Sequence, residues 1–301
     1  MNVLGADSEQ VDIAFGFDLA YAPHVAAVLA SIVRHAPDAR LRLLMLTDGL
    51  PDDVKVKLQA VAPEAAMLWI DIADADLPQL ADRGHISRAT LFRLGLERFA
   101  PADCHRLIYL DADLIVLRDI RDLWRTDLNS QPLAAAIDSY IDGVELVREG
   151  RAGAYFNAGV LLLDMDMVRT EKLLSKALAF QIEHGAALPF SDQDALNWAF
   201  WGRWQRLDNN WNVQRHMLIS AENIADDRAL TPTPPGIVHF TCADKPWLRD
   251  IWHPWAGVYW ENLARTPFLG EVARREGVSA LRRFRMRLRW LRRRPASAQA
   301  A

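Results

Sequence analysis

Two aspartates between apolar runs constrain the fold of this chain more than any other feature of its sequence. The run Leu107–Leu110 is typical of a strand buried on both faces. Asp111 and Asp113 follow it, and apolar residues resume at Leu114–Leu117. Carboxylates at the end of a buried strand are costly unless a cation meets them, and in an open α/β sheet that edge binds ligands. The sequence therefore predicts a metal-bridged, phosphate-bearing ligand at this turn, which includes Ala112.

The Asp-x-Asp spacing is not specific by itself, because short motifs recur by chance in a chain with many aspartates. It occurs four times, at Asp74/Asp76, Asp111/Asp113, Asp164/Asp166 and Asp192/Asp194. The alternative for the second pair is a strand-end turn, in which the carboxylates accept hydrogen bonds from nearby backbone amides. Context favours a metal site, since only this pair lies between two apolar β-like runs.

Strand-like and helix-like segments alternate in the first part of the chain. Strands are predicted at Val11–Phe15, Arg42–Leu46 and Met67–Ile70, and helices at Pro23–His35 and from Pro51 onwards. This alternation predicts an α/β fold with a single Rossmann-like sheet, mixed but mainly parallel, flanked by helices. The sequence contains no glycine-rich phosphate-binding motif, so the phosphates need another partner, which strengthens the metal prediction.

Later segments predict further elements around the same sheet edge. They are a turn and helix over His85–Phe99, strands at Leu133–Ile137, Val160–Leu163 and Ile237–Phe240, an amphipathic helix over Thr170–His184, a helix at Ala195–Phe200 with Ser191 as a possible N-cap, and a mobile loop over 139–153. His239 lies near the end of the last strand, where it is either a structural histidine or a third metal ligand. Four tryptophans are interpreted as core, with sugar stacking as the alternative: Trp198, Trp201, Trp204 and Trp211.

The composition is that of an ordinary globular protein, with 301 residues, 51% hydrophobic and 25% charged. No apolar run reaches the roughly 18–20 residues of a spanning helix. The N-terminus lacks the basic start and apolar stretch of a signal peptide. Cys104 and Cys242 lack metal-site spacing, which predicts a reduced, intracellular protein in which Cys104 is a buried thiol and not a nucleophile.

Charge divides the chain into an acidic body and a basic C-terminal segment. Residues 274–301 contain ten Arg and one Glu, a net charge of +9, whereas the remainder contains 25 Lys+Arg and 38 Asp+Glu, a net charge of −13. An acidic body argues against nucleic-acid binding. The predicted organisation is an N-terminal extension (1–10), one domain (11–270) and a basic amphipathic tail (271–301) with a partner of its own.

The tail has the pattern of a helix that lies in a membrane interface. Its apolar residues recur on one helical face, with arginines around the rest and Trp290 near the end: Leu281, Phe284, Leu288 and Leu291. Arginines near an anionic leaflet add to such binding, so an anionic membrane surface is the predicted partner. The alternative is a solvated charged helix packed on the acidic body.

Assembled in order, these segments resemble the family 8 glycosyltransferases, which include bacterial lipopolysaccharide glucosyl- and galactosyltransferases and glycogenin. The resemblance runs from about Val11 to Trp260. Its motifs stand in the family's order: Asp18 and Tyr21 after the first strand, His85-Ile86-Ser87 with Arg93, Leu110-Asp111-Ala112-Asp113, Asp138, Phe156-Asn157-Ala158-Gly159-Val160, Asp192-Gln193-Asp194, and His239 with Lys245-Pro246-Trp247. Each motif alone is weak, whereas the ordered set is specific.

The resemblance implies a GT-A fold and a retaining transfer of glucose or galactose from a UDP-sugar, with Mn²⁺, or Mg²⁺ in its place, bridging the diphosphate. It implies Asp111, Asp113 and His239 as metal ligands and Lys245 as the cation that neutralises the departing β-phosphate. The other donor-binding residues that it implies are Phe15, Gly16, Asp18, Tyr21, Arg93, Ala112 and Cys242. Around the transferred sugar it implies Asp138, Asn157, Asp192 and Gln193 as catalytic residues together with Lys245, and the implied acceptor-binding residues are His85 and Thr90.

Two positions depart from the family's pattern. Relatives have Asp-Asp-Asn-Tyr after the first strand, where this chain has Asp18-Leu19-Ala20-Tyr21, so an asparagine contact to the nucleotide is lost. Cys242 stands where the family has glycine, which places a side chain at a backbone amide close to phosphate. Neither change removes a metal ligand, and both bear on nucleotide affinity and donor identity.

Retention of configuration needs either a covalent sugar–enzyme intermediate or attack on the face that the leaving group departs from. The position that corresponds to a nucleophile is Gln193, which is a poor one, so front-face attack is the hypothesis and Asp192 is the alternative nucleophile. The expected acceptor is lipopolysaccharide or another lipid-linked glycan, which predicts a cytoplasmic protein that is peripheral on the inner face of the cell membrane. Two alternatives stay open: a soluble glycogenin-like or protein-acceptor glucosyltransferase, and a sugar-nucleotide-binding module without catalysis.

Overall fold

The computed structural model describes residues 9–72, 77, 88–138, 140–141, 143–218, 235–251 and 253–293. Parts of several predictions lie outside these residues: positions 1–8 of the N-terminal extension, Asp74/Asp76, His85-Ile86-Ser87, and positions 294–301 of the tail. Within the described residues, the predicted α/β architecture is confirmed.

The described residues form ten strands. They are β1 (Gln10–Gly16), β2 (Arg40–Thr47), β3 (Ala66–Asp71), β4 (Arg106–Leu110), β5 (Leu114–Val116), β6 (Leu133–Ile137), β7 (Phe156–Asp164), β8 (Gln205–Arg206), β9 (Val213–Gln214) and β10 (Ile237–His239).

Helices connect and cover these strands. The described α-helices are α1 (Ala22–His35), α2 (Asp52–Gln59), α3 (Leu96–Phe99), α4 (Ile120–Trp124), α5 (Glu145–Arg148), α6 (Met165–Glu171), α7 (Leu173–His184), α8 (Asp192–Phe200), α9 (Arg215–Leu218), α10 (Ala256–Leu263), α11 (Leu269–Arg275) and α12 (Ala280–Arg293). Short 3₁₀ helices span Arg88–Gly95, Gly185–Ala187 and Asn209–Trp211. The predicted loop 139–153 therefore includes the short helix α5.

Seven strands form a large sheet in the order β3-β2-β1-β4-β7-β6-β8. The first four strands of this order are parallel to one another, whereas β7 runs antiparallel to both of its neighbours. The sheet is thus mixed and mainly parallel, as predicted. Alternate residues of its strands enter two apolar cores, one on each face: in β4, Ile108 belongs to one core and Tyr109 to the other.

A smaller sheet of three strands carries the edge at which the aspartate pair lies. β5 follows the pair directly and is antiparallel to β10, which is in turn parallel to β9. This register sets His239 opposite Leu114, one residue beyond Asp113. The sequence predicted the apolar runs of β5 and β10 without assigning them to a separate sheet.

Three local predictions need correction. The helix predicted before Phe99 is mostly a 3₁₀ helix, and it becomes α-helical only at Leu96. The helix predicted over 170–184 is two helices, because Lys172 has a φ of +54° and breaks the α-helical path between α6 and α7. Ser191 precedes α8 but its hydroxyl does not cap the helix; it accepts a hydrogen bond from Gln181 Nε2 at 3.2 Å.

The tail contains an amphipathic helix, α12, where the sequence predicted one. Met286 packs against the core and the Arg283 guanidinium lies 5.7 Å from the centre of the Trp260 ring, so one side of α12 docks on α10. The predicted apolar stripe lies on the opposite side and is exposed by 37–59%: Leu281, Phe284, Leu288 and Leu291. In the part of the chain that is described, no helix combines the length and apolar composition that crossing a bilayer requires.

Candidate active site

Asp111, Asp113 and His239 meet at the edge where β4 ends and where β5 pairs with β10. His239 Nε2 lies 3.2 Å from Asp113 Oδ1 and 3.6 Å from Asp111 Oδ2. One ligand atom from each residue lies within 4.8 Å of the other two. The structure therefore brings together the three residues that the resemblance implied as metal ligands. Two carboxylates and an imidazole are a donor set that suits a divalent ion such as Mn²⁺.

Gly159 of β7 leaves the space that this cluster occupies. A Cβ atom at this position would lie 2.1 Å from His239 Cε1 and 2.8 Å from Asp111 Oδ2, which is too close for any side chain. The carbonyl oxygen of Gly159 also accepts a hydrogen bond from the backbone N–H of Asp111 at 2.9 Å. Glycine is needed here because the β7 backbone passes directly beside the polar side chains.

Asn212 orients the His239 imidazole. Asn212 Oδ1 lies 3.0 Å from His239 Nδ1, while Asn212 Nδ2 donates to Asn157 Oδ1 at 2.8 Å. Since the asparagine oxygen faces the ring, Nδ1 donates to it, and Nε2 is the nitrogen that faces the two carboxylates. This is the arrangement in which a histidine binds a metal ion, with its second nitrogen held by a hydrogen bond.

Lys245 places a positive charge at the outer side of the cluster. Its Nζ lies 2.5 Å from Asp113 Oδ2 and donates to the carbonyl oxygen of Phe240 at 2.7 Å. Burial by itself would raise the pKa of Asp113, but Lys245 and His239 outweigh it and hold that pKa well below its usual range. Asp113 is therefore a carboxylate at neutral pH, as a metal ligand must be.

Arg93 joins the metal cluster to Asp192. Its guanidinium lies 3.0 Å from Asp111 Oδ1 and 2.8 Å from Asp192 Oδ2, and it also donates to the carbonyl oxygen of Ala158 at 2.6 Å. Burial raises the pKa of Asp192 to about 6, against the opposing effect of Arg93. Thr90, implied as an acceptor-binding residue, hydrogen-bonds to Asp192.

Three of the residues implied around the sugar, Asp138, Asn157 and Gln193, form one hydrogen-bonded group. Asn157 Nδ2 donates to Asp138 Oδ2 at 3.1 Å, and the Asn157 oxygen accepts from the Gly159 N–H at 3.0 Å. Gln193 Oε1 accepts from the Ala158 N–H at 3.0 Å, and its amide nitrogen lies 3.5 Å from the same Asp138 oxygen. Both polar atoms of Gln193 are thus engaged by the protein.

A cavity of about 820 Å³ opens beside the metal cluster. Its lining contains Thr90, which was predicted to bind the acceptor, and most of the predicted donor-binding residues: Gly16, Asp18, Tyr21, Arg93, Asp111, Ala112, Asp113, Cys242 and Lys245. Phe15 is not part of this lining, because its side chain is fully buried in the core, and its role as a donor-binding residue stays a prediction. Four residues implied around the sugar are not part of this lining, although one of them, Asp192, contacts Arg93: Asp138, Asn157, Asp192 and Gln193.

The loop after β10 has an unusual backbone at Cys242. Cys242 has a φ of +69°, a left-handed conformation that costs a non-glycine residue roughly 1–2 kcal/mol. Its side chain is exposed at the cavity, whereas Cys104 is buried as predicted. This backbone geometry explains why glycine is the expected residue at this position.

A sequence profile described as glycosyl transferase family 8 matches residues 12–251, well over half of the chain. The chain belongs to this family. Its site accordingly lies on the fold of family 8, and the order of motifs seen in the sequence follows the chain through that fold. Among the family's relatives, General stress protein A of Bacillus subtilis is 25% identical over 258 residues, which cover 82% of this chain and 90% of that protein.

Two further relatives bear on chemistry. The lipopolysaccharide 1,2-glucosyltransferase of Escherichia coli is 25% identical over 280 residues, covering 89% of this chain and 81% of that protein. The crystal structure of the galactosyltransferase LgtC with donor and acceptor sugar analogs has a TM-score of 0.75 at 28% identity, covering 88% of this chain and all of that one. Both similarities fit a GT-A fold in this family 8 chain.

Some residues at the site were not found by sequence reasoning. Asn212 orients His239 from the small sheet, and Tyr109 donates to Asp111 Oδ1 at 3.1 Å. His24 and Arg275 also line the cavity. Tyr109 carried a signal, since it precedes the aspartate pair by two residues on the same strand. The other three, Asn212, His24 and Arg275, belong to none of the predicted motifs, and tertiary packing brings them to the site.

Proposed function

We propose that this family 8 protein is a retaining hexosyltransferase that moves glucose or galactose from a UDP-sugar to a saccharide acceptor. The observation that carries the proposal is the Asp111–Asp113–His239 cluster beside a cavity of about 820 Å³, with Lys245 at the cluster's outer side. Aligned carboxylates, an imidazole lone pair and a lysine suit a metal-bridged diphosphate. The similarity to a lipopolysaccharide glucosyltransferase and to LgtC supports a nucleotide-sugar donor and a glycan acceptor.

The residues present fit a divalent ion, with Mn²⁺ as the first choice and Mg²⁺ as the alternative. The fit rests on the donor set, on the His239 tautomer fixed by Asn212, and on the space that Gly159 leaves. Asp111, Asp113 and His239 would hold the ion. When bound, such an ion supplies Lewis-acid stabilisation of a departing diphosphate.

The chain's own residues account for the remaining requirements of the transfer. Lys245, released from its pair with Asp113, is placed to neutralise charge on the diphosphate as the sugar–oxygen bond breaks. Gln193 is a poor nucleophile and both of its polar atoms are already bonded to the protein. We therefore propose front-face attack, in which a β-phosphate oxygen of the leaving group helps to remove the acceptor's proton. The alternative nucleophile is Asp192, and a glycosyl–Asp192 adduct detected by mass spectrometry would overturn this mechanism.

We propose a lipid-linked glycan as the acceptor and a peripheral position on the cytoplasmic face of the membrane. The support is α12, whose apolar stripe is exposed on the side opposite to its contact with α10. Arginines flank that stripe on both sides, on one flank Arg282, Arg285 and Arg289 and on the other Arg283 and Arg287. An exposed apolar face between rows of arginines suits an anionic lipid surface.

The decisive experiment measures UDP release from UDP-glucose and UDP-galactose with Mn²⁺ and a saccharide acceptor. We expect turnover that is lost in Asp113→Ala, while circular dichroism and the melting temperature show a folded variant. Turnover by the variant with Mn²⁺ would refute the site. UDP binding without turnover on any hexose donor would instead favour a binding module, an alternative to which the strained Cys242 backbone points.

Flotation with anionic vesicles tests the tail separately. The intact protein should float, and the double variant Leu281→Glu/Phe284→Glu should not, because the substitutions place charges in the exposed apolar stripe. Equal flotation of both proteins would remove the membrane proposal and favour the soluble glucosyltransferase.

A further inference from the structure

We propose that Arg275, the last residue of α11, is a donor-binding residue that contacts the diphosphate of the nucleotide sugar. This inference rests on the proposed function and adds to it a residue outside the family's matched segment, which ends at residue 251. Arg275 lines the same cavity as Asp113 and Lys245, although it lies 30 residues further along the chain than Lys245. The C-terminal segment thus reaches back to the site formed by the sheet edge.

The position of Arg275 is fixed by a group of buried aromatic side chains. Its Nη2 lies 3.0 Å from His24 Nε2. The His24 ring is almost fully buried, stacks on Trp247 with a centroid distance of 3.6 Å, and places its Nδ1 at 2.7 Å from the Tyr259 hydroxyl. Because the arginine can only donate, His24 Nε2 accepts and Nδ1 carries the ring's proton.

A neutral histidine holds this guanidinium without cancelling its charge. Burial, and after it the charge of Arg275, holds the pKa of His24 well below its ordinary value, which agrees with the hydrogen-bond pattern. Arg275 Nε pairs with Glu276 Oε1 at 2.8 Å. Among the described residues, Nη1 has no hydrogen-bond partner, so it remains for a ligand.

The charges that line the cavity favour the same assignment. Three carboxylates, Asp18, Asp111 and Asp113, face three cations, Arg93, Lys245 and Arg275. Arg93 is paired with Asp111 and Asp192, and Lys245 is paired with Asp113. Within the described part of the chain, Arg275 pairs with one carboxylate, that of Glu276, which is not part of the lining.

This arrangement matters most for the leaving group. Breakage of the bond between the sugar and the β-phosphate leaves both bonding electrons on the phosphate oxygen, so UDP carries one more negative charge than its diphosphate had in the donor. Arg275 adds one positive charge to the lining of the cavity and so favours binding of that product. A guanidinium, with its several fixed N–H donors, suits two adjacent phosphate groups.

Isothermal titration of Mn²⁺-loaded protein with UDP and with uridine tests the assignment. In Arg275→Gln we expect the Kd for UDP to rise about 3- to 10-fold, because a partly exposed charged hydrogen bond is lost, while the Kd for uridine stays unchanged. Arg275→Lys keeps the positive charge but not the planar set of N–H donors, so its Kd for UDP should lie between those of the unmodified protein and of Arg275→Gln. The matched control is Arg274→Gln, since Arg274 is exposed and does not line the cavity.

The outcomes separate this inference from the proposed function. An unchanged Kd for UDP in Arg275→Gln, with normal binding and turnover by the unmodified protein, would overturn the role of Arg275 alone. Equal weakening of UDP and uridine binding, together with a lower melting temperature, would assign Arg275 to holding His24 and would also overturn it. Failure of the unmodified protein to bind UDP with Mn²⁺ would overturn the proposed function and this inference with it.

Discussion

Gly159→Ala is the smallest change that tests the metal cluster. The substitution adds one methyl group and no charge, so it leaves the chemistry of the three ligands intact. In the structure the new Cβ would lie 2.1 Å from His239 Cε1, 2.7 Å from His239 Nδ1 and 2.8 Å from Asp111 Oδ2. The effect of the variant therefore depends on whether these side chains can move.

The required movement is larger than a metal site tolerates. Carbon atoms in contact are about 3.5 Å apart, so the His239 ring must retreat by roughly 1.4 Å from a Cβ at 2.1 Å. His239 is only 3% exposed and is held by Asn212, so the ring has little room to retreat. Metal–ligand distances hold within about 0.2 Å. We expect the affinity for Mn²⁺ to fall by about 100-fold or more, and the free energy of unfolding to fall by about 1–3 kcal/mol from overpacking.

Mn²⁺ binding can be measured by electron paramagnetic resonance of the free ion, alongside UDP release. The control is Gly270→Ala, because a Cβ there meets only the end of the Arg274 side chain at 3.4 Å. Gly159→Ala should be folded by circular dichroism, bind Mn²⁺ weakly and release UDP at background rates. A folded variant whose Kd for Mn²⁺ stays within threefold of the unmodified protein would refute the assignment of the cluster.

Three other variants probe the surroundings of the cluster. Asn212→Ala removes the acceptor that holds the proton on His239 Nδ1, so the Kd for Mn²⁺ should rise about 10- to 100-fold, and an unchanged titration curve would contradict that role. Cys242→Gly relieves a φ of +69°, so urea denaturation should show a gain of about 1 kcal/mol, whereas a loss would mean that the thiol itself stabilises the loop. Because the pKa of Asp192 is raised to about 6, the folded state binds more protons than the unfolded state between about pH 4 and 6, and stability falls as pH rises through that range. Relative to Asp192→Asn, the unmodified protein should lose up to about 3 kcal/mol over this interval, and parallel pH profiles would refute the shift.

The sheet and the metal cluster were accessible from sequence because each depends on local patterns. Apolar runs of strand length ended at polar residues, and the ends of strands in such folds lie at one edge. This reasoning located Asp111, Asp113 and His239, and the structure places them within reach of one ion. The resemblance added Lys245 and Arg93, whose contacts with the cluster could not be read from spacing.

The errors share a physical cause, which is that tertiary contacts override local preference. The segment before Phe99 has helical spacing, yet its residues are drawn into a 3₁₀ helix, in which Arg93 reaches Asp111 and Asp192. Lys172 adopts a left-handed conformation that no composition rule predicts. Asn212 and Arg275 lie far from the motifs in sequence, so only the folded chain brings them to the site.

The hydrogen bonds that connect His239 to Asp138 through Asn212 and Asn157 all run in the same direction. Asp138, as a carboxylate, can only accept, so it turns the nitrogen of Asn157 towards itself. The Asn157 oxygen then faces Asn212, and the Asn212 oxygen faces His239. The Asp138 carboxylate thereby helps to determine that Nε2 of His239, and not Nδ1, is left to bind a metal ion. Replacing Asp138 by asparagine would remove one of the two constraints on the Asn157 amide, and the Gly159 N–H, which donates to the Asn157 oxygen, would be left to keep the orientation that reaches His239 through Asn212.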